Sequence, residues 1–526
     1  MFRKKMMGKR VDYGGRSVIS PDPNITTDEI GVPVFMARKL TFPESVCQIN
    51  AERLAMMVRN GPLVHPGANM VLDEQTGTQT LLSRMSDEQR DGVANKLKTG
   101  RQVVYRHLSN GDPLLVNRQP TLHKPSIMAH TARVLPKEQT LRMHYANCST
   151  YNADFDGDEM NIHMPQSYEA RAEALSIMAT HKQYIIPTSG KPIRGLIQDS
   201  VLAGVRLSCK DTFLKKDEYM QLVYAGLREL IEEGALGRAK LLPPAVIKPR
   251  LLWTGKQVVS TILKNIVMSK EGSKQQYKED CGMNLDSKSR LPAKEWGPLG
   301  KEEGEVIIRD NELLQGTIDK NQFGNSDQGM VHCFYELYGS KKAGKLLTAL
   351  TRIFADYLQS YGHTVGIDDL VLRKDANKRR RMIIEEGHQQ GVISAAKFAD
   401  IPDFQVKKLN YSSRIVFQSK DKIDKDIEAF NKMSLPKDPF SSTKKCIQGN
   451  DRILCGLETK IGQCASVEDK EALDAELDSH MKGTMSNVTS RVLKECIPQG
   501  LVKRFPKNNI SAMVLTGAKG GLVNQT

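Results

Sequence analysis

At 526 residues the chain exceeds what a single ordinary core holds, and it points to three or four domains or to a piece of something larger. Hydrophobic residues make up 39% and charged residues 26%, which fits a soluble globular protein and leaves little room for long disorder. The 76 Lys and Arg against 61 Asp and Glu give a formal charge of +15, which favours a polyanionic partner over an acidic protein or a neutral metabolite.

No run of about 18 apolar residues predicts a membrane span. The basic N-terminus, "MFRKKMMGKR", lacks the apolar core of a signal peptide. Nine cysteines without one C-x-x-C pair support neither a disulfide framework nor a zinc knuckle, and their usage implies a reducing compartment, cytosol or nucleus. Cys446, Cys455 and Cys464 recur at equal spacing, but that interval matches no common zinc pattern, so no zinc site is expected.

In chain order, "SVCQINAERLAMMVRNG" and "SDEQRDGVANKLKTG" read as helices that stop at glycine. "RQVVYRHL" and "DPLLVNRQP" read as strands closed by polar or Pro-containing turns, and "RMHYAN" as a further strand. "SYEARAEALSIMATHKQY" has helical periodicity and strong helix formers, and "TSGKPIRGLIQDSVLAGVRLS" opens a mainly helical second domain. Residues 268–304 are charged, rich in Gly and Lys and nearly free of β-branched residues, which predicts an exposed insertion or flexible loop. The basic run "RKDANKRRRMIIEEG" marks a third boundary near Leu372, and the remainder reads as mostly helical.

"YNADFDGDEMNIHMPQ", residues 151–166, carries the chemistry. Asp154, Asp156 and Asp158 alternate, and in an extended backbone alternate side chains project to one side. Gly157 lets the chain turn around a central point. Three hard anionic oxygen donors meeting there suit Mg²⁺. A calcium loop is disfavoured, because the register that starts at Asn152 puts His163 where a bidentate Glu belongs; the remaining alternative is a solvated acidic turn. Upstream, "NRQPTLHKPS" sets Arg118 on a rigid turn, where its fork of donors suits phosphate or sugar oxygens, or else an ion pair with one of the aspartates.

These two stretches, together with "GKRVDYGGRSVISPDPN", resemble the largest subunit of multisubunit DNA-dependent RNA polymerases. Weaker echoes run through "PTSGKPIRGLIQD", "LWTGKQ", "GIDDL" and "GAKGGLVNQT". Among eukaryotic classes, "MMGKRVDY", "LVHPGA" and Ala518 within "GAKG" look most like polymerase I.

The resemblance implies an α+β multidomain chain: residues 1–187 as switch segment and double-psi β-barrel active-site domain, 188–372 as a mixed pore domain carrying the 268–304 insertion, and 373–526 as a mainly helical funnel domain. It implies that Asp154, Asp156 and Asp158 are catalytic and hold one Mg²⁺, a second arriving with the NTP. Arg118 and Asn152 then contact the nucleotide sugar, Pro120 shapes that pocket, and Lys9, Arg10 and Arg16 grip template DNA, the lesser alternative for those three being a solvated basic face.

Implied partners are the second-largest polymerase subunit, the smaller subunits, template DNA, nascent RNA and NTPs, with no membrane. The class implies rRNA transcription in the nucleus, at the nucleolus. The zinc-binding clamp of the family precedes this stretch, and the bridge helix and trigger loop follow it, so the sequence reads as a fragment that cannot polymerise alone. The competing function is a truncated, non-catalytic nucleic-acid-binding or assembly module. His123 and His163 are expected to be structural.

Overall fold

The computed structural model describes residues 6–97, 101–269, 282–297, 300–399, 457, 460–461 and 467–521. They form two compact units, one of residues up to 364 with 512–521 and one of residues 365–511.

The first unit begins with strands β1 (Gly14–Pro21), β2 (Glu29–Pro33), β3 (Thr41–Ser45), β4 (Ala68–Asp73), β5 (Gln79–Leu81), β6 (Gln102–His107), β7 (Pro113–Asn117), β8 (Ile127–Leu135), β9 (Leu141–Met143) and β10 (Glu159–His163). Six of them close a barrel in the order β1-β10-β7-β8-β2-β9. β1 pairs β9 and β2 pairs β8 in parallel, and the other barrel neighbours are antiparallel. Period-two alternation fills the interior: Met160 and Ile162 of β10 join Ile19, Val32, Val116, Met128 and Leu141 in one core, while Glu159 faces solvent.

β3-β6-β4-β5 form a second sheet, packed by α2 (Ala51–Asn60) and α3 (Asp87–Asn95), which follow the four-residue helix α1 (Val34–Ala37). α2 ends at Gly61, as the sequence predicts. α3 starts on a capping box between Ser86 and Gln89 and stops at Asn95, ahead of the glycine expected to end it.

α4 (Cys148–Tyr151) lies within the barrel between β9 and β10, and beyond the barrel come α5 (Tyr168–Ser176), α6 (Asp199–Ser208), α7 (Lys216–Glu232), α8 (Gly255–Met268), α9 (Lys320–Phe323), α10 (Met330–Tyr338) and α11 (Ser340–Tyr361). The 22-residue α11 is the spine of a large apolar core built with α6, α7 and α8. Phe323 meets Phe354 of that spine at 5.3 Å and lies against Gly204 of α6, where a Cβ would stand 2.7 Å from its ring. The barrel is tied to α11 through Thr27, whose N–H donates to Thr348 Oγ1 at 3.3 Å.

Other expectations change. "TSGKPIRGLIQDSVLAGVRLS" is helical only from Asp199; Lys191 to Ile197 is irregular, with Pro192 bridging Ile185. Part of the expected loose insertion is built into the fold: Leu285–Lys288 pairs with Glu305–Arg309, itself paired with Glu312–Gln315. Met283 and Leu291 are fully buried there, so two anchors offset the polar composition. Residues 270–281 and 298–299 of that stretch lie outside the described residues, as do Cys446, Cys455, Cys464 and the final "LVNQT".

The second unit is mainly a pair of long helices, α12 (Lys374–Phe398) and α13 (Val467–Glu495). They run antiparallel, joined by Arg379 to Glu495, Arg491 to Glu386 and Ser394 Oγ to His480 Nδ1 at 2.8 Å.

Candidate active site

The acidic stretch is a turn joining α4 to β10. Asn152 leaves the helix at φ 48°, in the left-handed region, and Gly157 turns the chain at φ 117°, a conformation L side chains rarely adopt. Phe155 folds inward, meeting the Tyr145 ring edge-on at 5.5 Å and packing on the barrel core. Asp154 and Asp156 on either side of it are therefore exposed. Asp158 Oδ2 accepts the Asp154 N–H at 3.0 Å and closes the turn. The aspartates thus share one turn rather than alternate along a strand, because pairing into the barrel begins only at Glu159, opposite Val18.

Arg118 arrives from across the barrel. Antiparallel pairing sets Asn117 at the end of β7 opposite Asn161 of β10, so the chain leaving β7 runs beside the start of β10. Arg118 Nε and Nη2 lie 3.0 and 2.9 Å from Asp158 Oδ2, and Nη1 donates to the Tyr151 carbonyl at 3.4 Å. All the donors to Asp158 use Oδ2, which leaves Oδ1 without a hydrogen-bond partner among the described residues. Pro120 and Asn152 are exposed close by in sequence to Arg118 and the turn.

A second arginine serves the fourth carboxylate: Arg16 Nε lies 2.6 Å from Glu159 Oε2, a pairing set by the β1–β10 register. Of four acidic groups, two are matched by arginine, and Asp154 and Asp156 have no cationic partner among the described residues. Lys9 and Arg10 are exposed in the irregular segment before β1. His123 is exposed and His163 half-buried, with no bond to the acidic turn.

The floor of the turn was not legible in the sequence. Tyr151, fully buried at the end of α4, shares a 2.8 Å hydrogen bond between its hydroxyl and His130 Nε2 on β8. Burial, and secondarily the Asp154 charge, push the Cys148 thiol up to about 12. Cys148 is therefore expected to resist iodoacetamide in the folded chain at pH 8 while the exposed Cys47 reacts, and to react once the chain is unfolded; mass spectrometry of the alkylated peptides checks both.

For magnesium, the donor chemistry fits: hard carboxylate oxygens on one exposed turn, two of them unmatched by cations. The arrangement itself is open, since among the described residues no three His, Cys, Asp or Glu side chains stand close enough to share an ion. Asp154 Oδ1 accepts the Phe155 N–H at 3.0 Å, Asp156 is exposed without an arginine partner among the described residues, and Asp158 is held.

Residues 8–180, which contain the whole turn with Arg118, match the family model described as RNA polymerase Rpb1, domain 2, and residues 183–370 match that of RNA polymerase Rpb1, domain 3. The DNA-directed RNA polymerase I subunit rpa1 of Schizosaccharomyces pombe is 43% identical over 100% of this chain, which covers 28% of that relative. Subunit RPA190 of Saccharomyces cerevisiae polymerase I is 41% identical, again over 100% of this chain and 28% of its own length. The polymerase III subunit rpc1 of Schizosaccharomyces pombe is 39% identical over 74% of this chain and 26% of its own length. The chain thus spans under a third of these curated relatives, and the polymerase I subunits align with all of it where the polymerase III subunit does not. On these matches the chain belongs to the family of largest subunits of multisubunit DNA-dependent RNA polymerases and is most like those of polymerase I.

Proposed function

We propose that this chain is the catalytic-core portion of a DNA-dependent RNA polymerase, adding nucleotides from NTPs to the 3′ end of RNA under template direction, in rRNA transcription at the nucleolus. The observation that carries the reading is the turn that exposes Asp154 and Asp156 beside Asp158 at the end of a closed six-stranded barrel, in a chain of this family. In this reading the barrel is of the double-psi type, residues 188–372 form the pore and those from 373 the funnel. Its partners are the second-largest subunit, the smaller subunits, template DNA and nascent RNA.

Asp154, Asp156 and Asp158 would hold one Mg²⁺, a second would come with the NTP, and the chemistry they would supply is Lewis acidity at the RNA 3′-hydroxyl and at the leaving pyrophosphate. The protein's part is placement. Asp158 offers Oδ1 while Arg118 and the Asp154 amide hold Oδ2, so one ligand oxygen is fixed in advance. Arg118 and Asn152 orient the ribose, and Pro120 bounds the pocket; contact with the 2′-hydroxyl is what separates ribonucleotides from deoxyribonucleotides. Lys9, Arg10 and Arg16 bind template phosphates independently of sequence. The exposed Arg16–Glu159 pair is worth only about 0–1 kcal/mol, so a phosphate competes for Arg16 readily.

The test is primer extension on an RNA–DNA scaffold by the full-length subunit assembled with its partners, wild type against Asp156→Ala, across a Mg²⁺ titration. Normal scaffold binding with no addition at any Mg²⁺ concentration supports the reading. Extension at the wild-type rate sinks it.

A further inference from the structure

Asn147 is the cap residue of α4, the four-residue helix whose far end opens into the acidic turn, and it is fully buried. Asparagine is among the side chains best suited to cap a helix, yet this one makes no cap bond. It turns away instead: Nδ2 donates to the Thr27 carbonyl at 2.9 Å, across 120 positions, and Oδ1 has no hydrogen-bond partner among the described residues. Burying that oxygen without a partner is costly, so local stability alone does not select this arrangement.

Thr27 lies in the loop from β1 to β2 and is itself clamped to α11. Its N–H donates to Thr348 Oγ1, as described above, and its hydroxyl donates to the Gly344 carbonyl at 3.4 Å. Gly344 leaves the room for this, since a Cβ there would stand 3.2 Å from Thr27 Oγ1. In the same loop the Asn24 carbonyl accepts from Arg352 Nη2 of α11 at 2.9 Å. The loop thus carries the position of α11 to the barrel.

On the other side the path runs to the carboxylates. The carbonyl of Cys148, next to Asn147, accepts the Ala153 N–H at 3.0 Å, and Ala153 precedes Asp154, whose own N–H is held by Asp158 Oδ2. The other end of α4 is pinned separately, Tyr151 to His130 of β8 through its hydroxyl and to Arg118 through its carbonyl. A single helical turn fixed at both ends has little slack, so a shift at Asn147 is passed on to the turn.

We infer that Asn147 is a positioning residue for the acidic turn, tying the placement of Asp154, Asp156 and Asp158 through Thr27 to α11. That helix belongs to the second matched region, residues 183–370, and the turn to the first, residues 8–180, so the packing of one region on the other sets where the carboxylates stand. The inference rests on the catalytic reading above.

The experiment uses polymerase assembled with full-length subunit carrying Asn147→Leu, Thr348→Val or both, with Asn265→Leu and Asp156→Ala alongside. Leucine matches asparagine in size without its amide, and Thr348→Val removes the acceptor at the α11 end. Asn265 of α8 is an equally buried asparagine that donates to the Lys240 carbonyl at 2.9 Å, and it shows what the loss of any such bond does. Single-nucleotide addition gives kcat and KM for the NTP, and electron paramagnetic resonance of Mn²⁺ gives metal affinity without turnover.

For Asn147→Leu, kcat is expected to fall about tenfold, less than the roughly 10²-fold that an ångström of misplacement costs because Tyr151 still pins α4, with KM within about threefold of wild type. Mn²⁺ affinity is expected to fall about tenfold in step. Thr348→Val is expected to lose about threefold in kcat, and the double variant no more than Asn147→Leu alone, since both bonds lie on one path. Asn265→Leu keeps the wild-type kcat.

Wild-type kcat and Mn²⁺ affinity in Asn147→Leu overturn the inference, as does an equal fall in Asn265→Leu or a loss in the double variant equal to the product of the two single losses. Should Asn147→Leu not assemble, Thr348→Val decides: a fall in kcat and Mn²⁺ affinity at unchanged KM upholds the inference, and wild-type values overturn it. Activity in Asp156→Ala would instead remove the catalytic reading on which the inference stands.

Discussion

Polymerase assembled with Asp156→Ala is expected to add nucleotides at least about 10³-fold more slowly than wild type, with Asp154→Ala alike, while Glu159→Ala stays within about tenfold. The four carboxylates lie within six residues, and composition alone does not rank them. Pairing does. Glu159 is neutralised by Arg16 across the β1–β10 pair and faces solvent on the strand, whereas Asp154 and Asp156 stand on the turn with no cation of their own among the described residues. Both are exposed and bond to no other side chain among the described residues; Asp154 Oδ1 accepts the Phe155 N–H at 3.0 Å, so Asp156 is the position where truncation removes charge alone. Asp158 is different, because its Oδ2 also closes the turn and binds Arg118; Asp158→Asn keeps an acceptor there and isolates the loss of the anionic Oδ1. Single-turnover addition at saturating NTP measures the four variants side by side. Equal losses for Glu159 and Asp156 would show that arginine pairing does not divide them.

Arg106→Met is expected to destabilise the chain by about 3 kcal/mol at pH 7, the largest effect on stability among these substitutions. Arg106, buried on β6, grips Asp112 with both terminal nitrogens, at 2.7 and 2.9 Å, and also bonds to Glu44 of β3. Asp112 precedes β7, so this one side chain fastens the four-stranded sheet to the barrel. Its guanidinium also lies 5.2 Å from the centre of the Phe42 ring, which Arg171 faces at 4.3 Å. Methionine would fill the space but leave Glu44 and Asp112 as buried anions whose cationic partners among the described residues are Arg53 and Arg171.

The pH dependence carries a sign. Burial alone would raise the Asp112 carboxyl, but the hydrogen bonds and charge of Arg106 hold it below the usual carboxylate range. A depressed folded-state pKa contributes stability that is present above the unfolded value, about 3.9, and lost as pH falls through the folded value. The gap between wild type and Arg106→Met is therefore widest near neutrality and narrows below about pH 4. Denaturant midpoints at pH 7 and pH 3 check it; a gap independent of pH would mean that packing on Phe42, not charge, is what the arginine supplies.

The strands at 102–107 and 113–117 were legible because apolar residues crowd short segments bounded by turn formers, and α2 was legible because Gly61 stops it. "RMHYAN" misled by half: His144 accepts the Ala146 N–H through Nδ1 and turns the chain into a short 3₁₀ helix after Met143. Leu285–Lys288 was illegible because an edge strand with one half-buried apolar residue looks like a polar loop. The acidic turn announced its chemistry through residue type and spacing, yet its geometry came from the Asp158 staple and the inward Phe155, not from strand alternation. Arg118 was a candidate on its own, but its bond to Asp158 spans 40 positions and exists only through the β7–β10 register. Asn147 gave no local sign of its role, because its bond to Thr27 spans 120 positions.

β10 lies between β1 and β7, and each of those neighbours supplies or leads directly to an arginine that the acidic segment uses. The strand is thus the seam of the barrel, and the site exists only while the seam is shut. Breathing along it would separate Arg16, Arg118 and the aspartates together, long before the helical core around α11 felt any change. The slowest-exchanging amides of β10 accordingly report whether the acidic turn keeps its arginine partners as well as stability, and a ligand that wedges this seam open would take those pairs apart from behind, without entering the turn.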